Sequence, residues 1–138
     1  IIHAIQETGL ELQAGRIRSA GIMATDGTIQ SRIFQRELEE MGIEVFLPKR
    51  EYQESVMELI YEEVKAGRPV DIDKFQRVSS HLREQGAQVI ILGCTELSVI
   101  KRDHPIGRGY LDVMEILAQR SILRCGGRLK ERYRNLIT

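Results

Sequence analysis

The stretch Gln88-Val89-Ile90-Ile91-Leu92-Gly93-Cys94-Thr95-Glu96 decides the fold. Five residues, four of them aliphatic, precede a glycine, a cysteine and two polar residues. A short apolar run of this kind reads as a strand buried on both faces, the pattern of a central strand in a parallel sheet. An earlier stretch, Ala20-Gly21-Ile22-Met23-Ala24-Thr25-Asp26-Gly27-Thr28, has the same layout. It too is an apolar strand that runs into a polar turn.

Working outward from these two strands, the chain alternates. Residues 2–14 read as a short amphipathic helix, and 16–24 as the first strand. Thr25 or Asp26 can cap a helix over 29–41, with Ile29, Ile33, Phe34, Leu38 and Met41 at helical spacing. Gly42 stops it, 43–47 is a second strand, and Pro48 ends that strand. Helices follow over 51–66 and 71–85. After the third strand at 88–92, Ser98 to His104 reads as a loop or frayed turn. Residues 105–111 hold a weak fourth strand, interrupted by Gly107 and Gly109. Asp112 can cap a helix to about Leu123, Gly126-Gly127 breaks it, and the basic tail 128–138 is frayed or helical.

Strands alternating with helices predict an α/β fold in three layers, with a parallel sheet and right-handed crossovers. The simplest packing is an open four-stranded sheet of order 2-1-3-4. In such sheets ligands bind beyond the carboxyl ends of the strands, where the winding reverses. The reversal here lies between strands one and three, so topology alone brings Thr25-Thr28 beside Cys94-Glu96. Residues 1–111 form the α/β domain that carries both motifs, and 112–138 form a closing helix and tail.

Composition narrows the partners. The chain has 138 residues, with 20 Lys plus Arg against 20 Asp plus Glu and a net charge of zero. That balance gives no electrostatic case for nucleic acid or an anionic membrane. No apolar run approaches the roughly 20 residues that span a bilayer. Two cysteines, Cys94 and Cys125, fit neither a disulfide framework nor a zinc site. His3, His81 and His104 show no ligand spacing, so no metal is expected. A reducing cytoplasm is the default location. The chain begins with Ile1 and not methionine, which suggests a processed or partly represented protein.

Cys94 is either core filler or a reagent. At a strand end near helix N-termini, backbone N–H groups and the helix dipole favour a thiolate, and neighbouring hydroxyls favour a carboxylate ligand. Small buried cysteines are equally common. Thr25, Asp26 and Thr28 read first as a helix cap, Glu96 as a first-turn acid, and Lys65 as a solvated helix end. Cys125 reads as structural or incidental.

The segments Gly21–Thr28 with Ser31 and Phe34, Gly42–Val45 with Pro48, Ile60–Gly67, Gly86–Leu97 and Leu111–Ala118 together resemble the aspartate/glutamate racemase superfamily. Glu96 stands where the glutamate branch usually has histidine, so the likeness is to the aspartate racemase branch. The resemblance implies the flavodoxin-like C-terminal half of a cofactor-independent amino-acid racemase about twice this size. Two cysteines would act as acid and base on opposite faces of the substrate α-carbon, Cys94 being the second. Thr25, Thr28 and Thr95 would help hold an aspartate-like amino acid, with Glu96 beside them. Lys65 matches a lysine that binds substrate carboxylate. No pyridoxal phosphate, other cofactor or metal is implied. The first cysteine belongs to a preceding N-terminal domain that is missing here, and the 112–138 segment would return to that domain. The fragment alone is therefore expected to be inactive. The resemblance also suggests a homodimer. The alternatives are a hydantoin racemase or maleate isomerase relative, or a non-catalytic ligand-binding module of the same fold.

Overall fold

The computed structural model describes residues 3–128 and 136–137. Four parallel strands form the sheet: β1 (Ser19–Met23), β2 (Glu44–Phe46), β3 (Val89–Leu92) and β4 (Tyr110–Asp112). Their order is β2-β1-β3-β4, as the alternation of elements predicted. The central pair is in register from Ala20 opposite Val89 to Met23 opposite Leu92. Every residue of β1, β3 and β4 is buried, which explains the unbroken apolar run of β3 and the largely apolar β1.

Pleating sends alternate side chains to opposite layers. Met23, Ile90, Leu92 and Tyr110 pack with Val56, Leu59, Ile60, Phe75, Val78, Leu82, Leu97 and Ile100. Those partners come from α4 (Arg50–Met57), the π-helical segment Glu58–Val64 that continues it, α5 (Ile72–Gln85) and α6 (Thr95–Asp103). Ala20, Ile22, Val89, Ile91 and Leu111 face Leu12, Phe34, Leu38, Ile116 and Leu136 on the other side. Leu12 belongs to α1 (Ala4–Ala14), Phe34 and Leu38 to α3 (Ile33–Glu40), and Ile116 to α7 (Val113–Arg124). Helix α7 is tied to α1 by Arg120, whose guanidinium reaches Glu7 at 3.3 Å and Glu11 at 2.9 Å.

The boundaries follow local chemistry. The Asp71 carboxylate accepts from the Lys74 N–H at 3.0 Å and starts α5. Gly86, at φ +122°, ends that helix in a conformation L side chains rarely adopt.

Three local expectations are corrected. Ser98–His104 is not a loop: α6 runs through it and stops at His104. Leu97 and Ile100 bury completely one turn apart, Glu96 lies in the first turn and Lys101 and Arg102 in the last, so burial and dipole both favour a helix. The helix over 29–41 is two, because Arg32 at φ +59° separates α2 (Asp26–Ser31) from α3. The helix over 51–66 changes hydrogen bonding at Glu58, and its π turn closes with Lys65 N–H on the Ile60 carbonyl at 3.0 Å. The expectations for Ile2 and for most of the tail lie outside the described residues. No helix among the described residues is long and apolar enough to cross a membrane.

Candidate functional site

The last rung between β1 and β3 sets the site. Gly93 N–H donates to the Met23 carbonyl at 2.9 Å, so Ala24-Thr25 and Cys94-Thr95 leave the sheet side by side. The strand order that predicted this meeting is the one observed. Gly93 is required by closeness: an added Cβ would lie 3.0 Å from two Phe34 ring carbons and 3.4 Å from Ala24 Cβ.

On the β3 side, Cys94 is the N-cap residue of α6, in extended conformation, and its carbonyl accepts from Leu97 and Ser98 N–H. Its half-buried thiol donates to Glu96 Oε2 at 2.8 Å. The Thr95 hydroxyl donates to the same oxygen at 2.9 Å. Lys65 brings its ammonium to 3.5 Å from Glu96 Oε1, while the same group lies 4.5 Å above the Tyr61 ring centroid. The π turn delivers Lys65 here. Four of the six expected site residues, Cys94, Thr95, Glu96 and Lys65, thus form one cluster.

On the β1 side, the Thr25 hydroxyl accepts from Thr28 N–H at 3.3 Å and donates to the Thr28 hydroxyl at 3.0 Å. These two residues cap α2 and stand next to the cluster across the β1–β3 rung. Their hydroxyls are engaged with each other and not with the thiol.

The electrostatics correct one expectation. Helix-terminal N–H groups were to favour a thiolate at Cys94. The Glu96 backbone N–H does act that way, but burial, and then the hydrogen bond to the Glu96 carboxylate, outweigh it and push the thiol above its ordinary pKa of 9.0, with Lys65 offsetting this only weakly. Glu96 moves the other way, down to about 2, chiefly through the bond it accepts from Cys94, with help from Thr95 and Lys65. The cluster therefore rests as thiol, carboxylate and ammonium. That arrangement can give up a proton from sulfur, and it offers a cation to an incoming carboxylate.

One residue was missed by sequence reasoning, and another, Asp112, was read only as the cap of α7, a role its bond to Met114 N–H bears out. Gln53, on α4, donates from Nε2 to the Ala24 carbonyl and to Asp26 Oδ1, both at 2.9 Å, and so ties down the turn that carries Thr25. Its Oε1 is buried with no partner. Nothing in the sequence distinguishes it from a solvated helix glutamine. Asp112 is 2% exposed, accepts from the Ser98 hydroxyl at 2.7 Å and from Met114 N–H at 2.8 Å, and is pushed above the usual carboxylate pKa by burial. It borders a cavity of about 430 Å³ between α6 and α7, lined also by Val99, Lys101, Met114 and Ile122. Cys125 is exposed at the end of α7. No group of three or more His, Cys, Asp or Glu among the described residues could hold a metal ion.

Known proteins resemble this chain in sequence and in fold. An uncharacterised protein encoded in the pnlA 3′ region of Pectobacterium carotovorum subsp. carotovorum is 29% identical over 126 residues, covering 88% of this chain and 83% of that protein. The structure of Picrophilus torridus aspartate racemase superposes with a TM-score of 0.77 at 25% identity, over 99% of this chain and 58% of that one. An aspartate racemase homologue from Pyrococcus horikoshii OT3 has the same fold, with a TM-score of 0.79 at 24% identity, over 91% of this chain and 56% of that one. The chain thus spans little more than half the length of those two structures. Residues 1–120 match the sequence profile of the Asp/Glu/Hydantoin racemases, and the chain belongs to that family.

Proposed function

We propose that this chain supplies the Cys94 side of a cofactor-independent amino-acid racemase of the aspartate type. The observation that carries the reading is the placement of Cys94 at the winding reversal of the sheet, hydrogen-bonded to Glu96 with Lys65 beside it.

In this reading the Lys65 ammonium takes a substrate carboxylate, aided by Thr95 and by the Thr25 and Thr28 hydroxyls. A second cysteine, on an N-terminal half of the protein, removes the α-proton from one face as a thiolate. Cys94 Sγ then gives its proton to the carbanion on the other face. The C–H bond breaks towards one sulfur and a new C–H bond forms from the other, so configuration inverts and one proton is exchanged with the enzyme. Preorganised donors around the carboxylate stabilise the charge that develops at the α-carbon. The chemistry uses no pyridoxal phosphate and no metal.

The chain alone lacks the opposing thiol and is inactive in this reading, because a two-sided proton transfer requires both groups in place. The segment 112–138 would then also contact the N-terminal half. The proposal includes a homodimer and a cytoplasmic location.

A second reading has its own support. The Thr25 and Thr28 hydroxyls are satisfied within the α2 cap and the Cys94 thiol is held protonated, both of which suit a non-catalytic ligand-binding module. The family profile also includes hydantoin racemases, so a cyclic substrate belongs in any panel. A maleate isomerase relative is tested by the same panel.

Exchange of the α-proton of L- and D-aspartate in D2O, followed by NMR on the full gene product and on Cys94→Ser, tests the proposal. Exchange from both enantiomers in the full protein, with racemisation lost in the variant, is the expected result. Silence with aspartate, glutamate, hydantoins and maleate overturns the racemase reading in favour of the module.

A further inference from the structure

Away from the cleft, α5 carries His81 beneath the start of α4. Its ring stacks on Tyr52, centroids 3.9 Å apart and planes within 7°. His81 is 7% exposed. Its Nε2 accepts the Lys49 backbone N–H at 3.0 Å, and the Gln85 amide nitrogen lies 2.8 Å from the same atom. That amide nitrogen also donates to the Leu47 carbonyl at 3.0 Å.

Two N–H groups therefore converge on one ring nitrogen. Such a nitrogen must be unprotonated, which puts the imidazole proton on Nδ1. A proton added at Nε2 would set three donors against one another. Gln85 could turn its carbonyl to the ring only by releasing Leu47. The Lys49 N–H is fixed by the backbone and has no such choice.

What Lys49 anchors matters for the cleft. It is the N-cap residue of α4, and Gln53, in the first turns of that helix, holds Ala24 and Asp26. One short segment thus links His81 to the turn that stands beside Cys94.

We propose that His81 is an acid-sensitive latch. Protonation at Nε2 expels the Lys49 N–H, frees residues 47–49 and the start of α4, and through Gln53 loosens the 24–28 turn.

The groups around His81 have opposing effects. Burial acts most strongly against protonation, and Lys49, from the connection after β2, adds to it. Glu84 on α5 and Glu51 on α4 favour protonation more weakly. Asp73 and Arg77 line the same surface cavity of about 410 Å³ with Tyr52 and His81. The balance lowers His81 below its ordinary 6.5. A histidine favoured neutral in the fold contributes stability that is complete above 6.5. That contribution is lost as pH falls from there through the folded value. The latch is closed at neutral pH and opens on acidification.

The test is an NMR titration of the intact chain from about pH 7.5 to about pH 4.5. It follows the His81 ring proton, the Gln53 side-chain amide and the exchange protection of the Lys49 amide, corrected for intrinsic rate. Ile91 in β3 is the reference. The expected result is a His81 midpoint below 6.5, with at least about tenfold loss of Lys49 protection over the same range while Ile91 stays protected. The Gln53 amide resonances move with the same midpoint. In His81→Gln a carbonyl accepts from Lys49 without titrating, so protection stays flat. The proposal is overturned if His81 titrates while Lys49 stays protected, or if Gln53 does not follow His81. It is also overturned if Lys49 and Ile91 open together, if His81 does not titrate in this range, or if His81→Gln shows the same local loss. The wild-type titration decides the matter even if the variant does not fold.

Discussion

The Cys94 thiol donates to the Glu96 carboxylate at 2.8 Å, across one intervening residue. Burial comes first in holding the proton on sulfur, and this contact adds to it, because that proton is the one the carboxylate accepts. A hydrogen bond to a charged group is worth about 1.5–3 kcal/mol, and about 1.4 kcal/mol moves a pKa by one unit. Glu96→Gln exchanges a charged acceptor for a neutral one. The midpoint of Cys94 alkylation by iodoacetamide is expected to fall by about one pH unit, so reaction near pH 8 speeds up about tenfold. Lys65→Met moves the midpoint slightly upward, because the nearby ammonium favours the thiolate.

The same carboxylate carries an acid dependence. Glu96 is held at about 2 in the fold against an ordinary 4.5. A depressed carboxylate contributes stability that is complete above 4.5 and is lost as pH falls from there through about 2. Urea unfolding near pH 7 and near pH 3 should show wild type losing more stability between the two than Glu96→Gln. Equal losses in the two proteins would remove Glu96 as a source of acid sensitivity.

Asp112 predicts the opposite sign. Its pKa is raised above 3.8 by burial, so ionisation works against the fold, and its Oδ1 accepts both bonds. An asparagine can keep both acceptor contacts without charge. Asp112→Asn is expected to be neutral or stabilising at pH 7. Asp112→Ala strands Ser98 and the first turn of α7 and should cost about 1–3 kcal/mol. Chemical denaturation of the two variants checks the pair. Equal destabilisation in both would show that the charge itself is needed.

Gly93 predicts a packing cost. A methyl there meets the Phe34 ring at 3.0 Å, in a layer that is already filled. Gly93→Ala should destabilise by about 1–3 kcal/mol, and Phe34→Leu in the same chain should recover part of that loss. Additive losses in a double-mutant cycle would show that the two residues do not compete for the same space.

Most of the architecture was legible because burial writes itself into composition. Val89-Ile90-Ile91-Leu92 has no polar residue, and only a strand covered on both faces asks for that. The adjacency of the two strand ends that carry Thr25 and Cys94 was legible because it depends on strand order and not on any side chain. Local hydrogen-bonding choices were not. A π turn and an α turn over Glu58–Val64 present the same apolar residues, Leu59 and Ile60, to the core. The break at Arg32 leaves the apolar spacing of Ile29, Ile33 and Phe34 intact. The α6 helix was hidden by having only Leu97 and Ile100 fully inside. The protonation of Cys94 was illegible in principle. It depends first on how deeply the thiol is buried and then on which way the Glu96 side chain turns, and the sequence records only that a glutamate follows two residues later.

The central strand pair has a consequence for how the molecule comes into being. Gln88 contacts Ser19 across 69 residues of chain, and β1 has no β3 to pair with until that length has been made. At about 5–20 residues per second on the ribosome, β3 follows β1 by roughly 3–14 s. Closing a loop of that length also slows spontaneous folding relative to local helix pairing. The Thr25 turn and the Cys94 turn therefore have no separate existence. A nascent or partly unfolded chain carries an exposed cysteine and a loose hydroxyl turn, and the two become neighbours only in the step that completes the whole sheet.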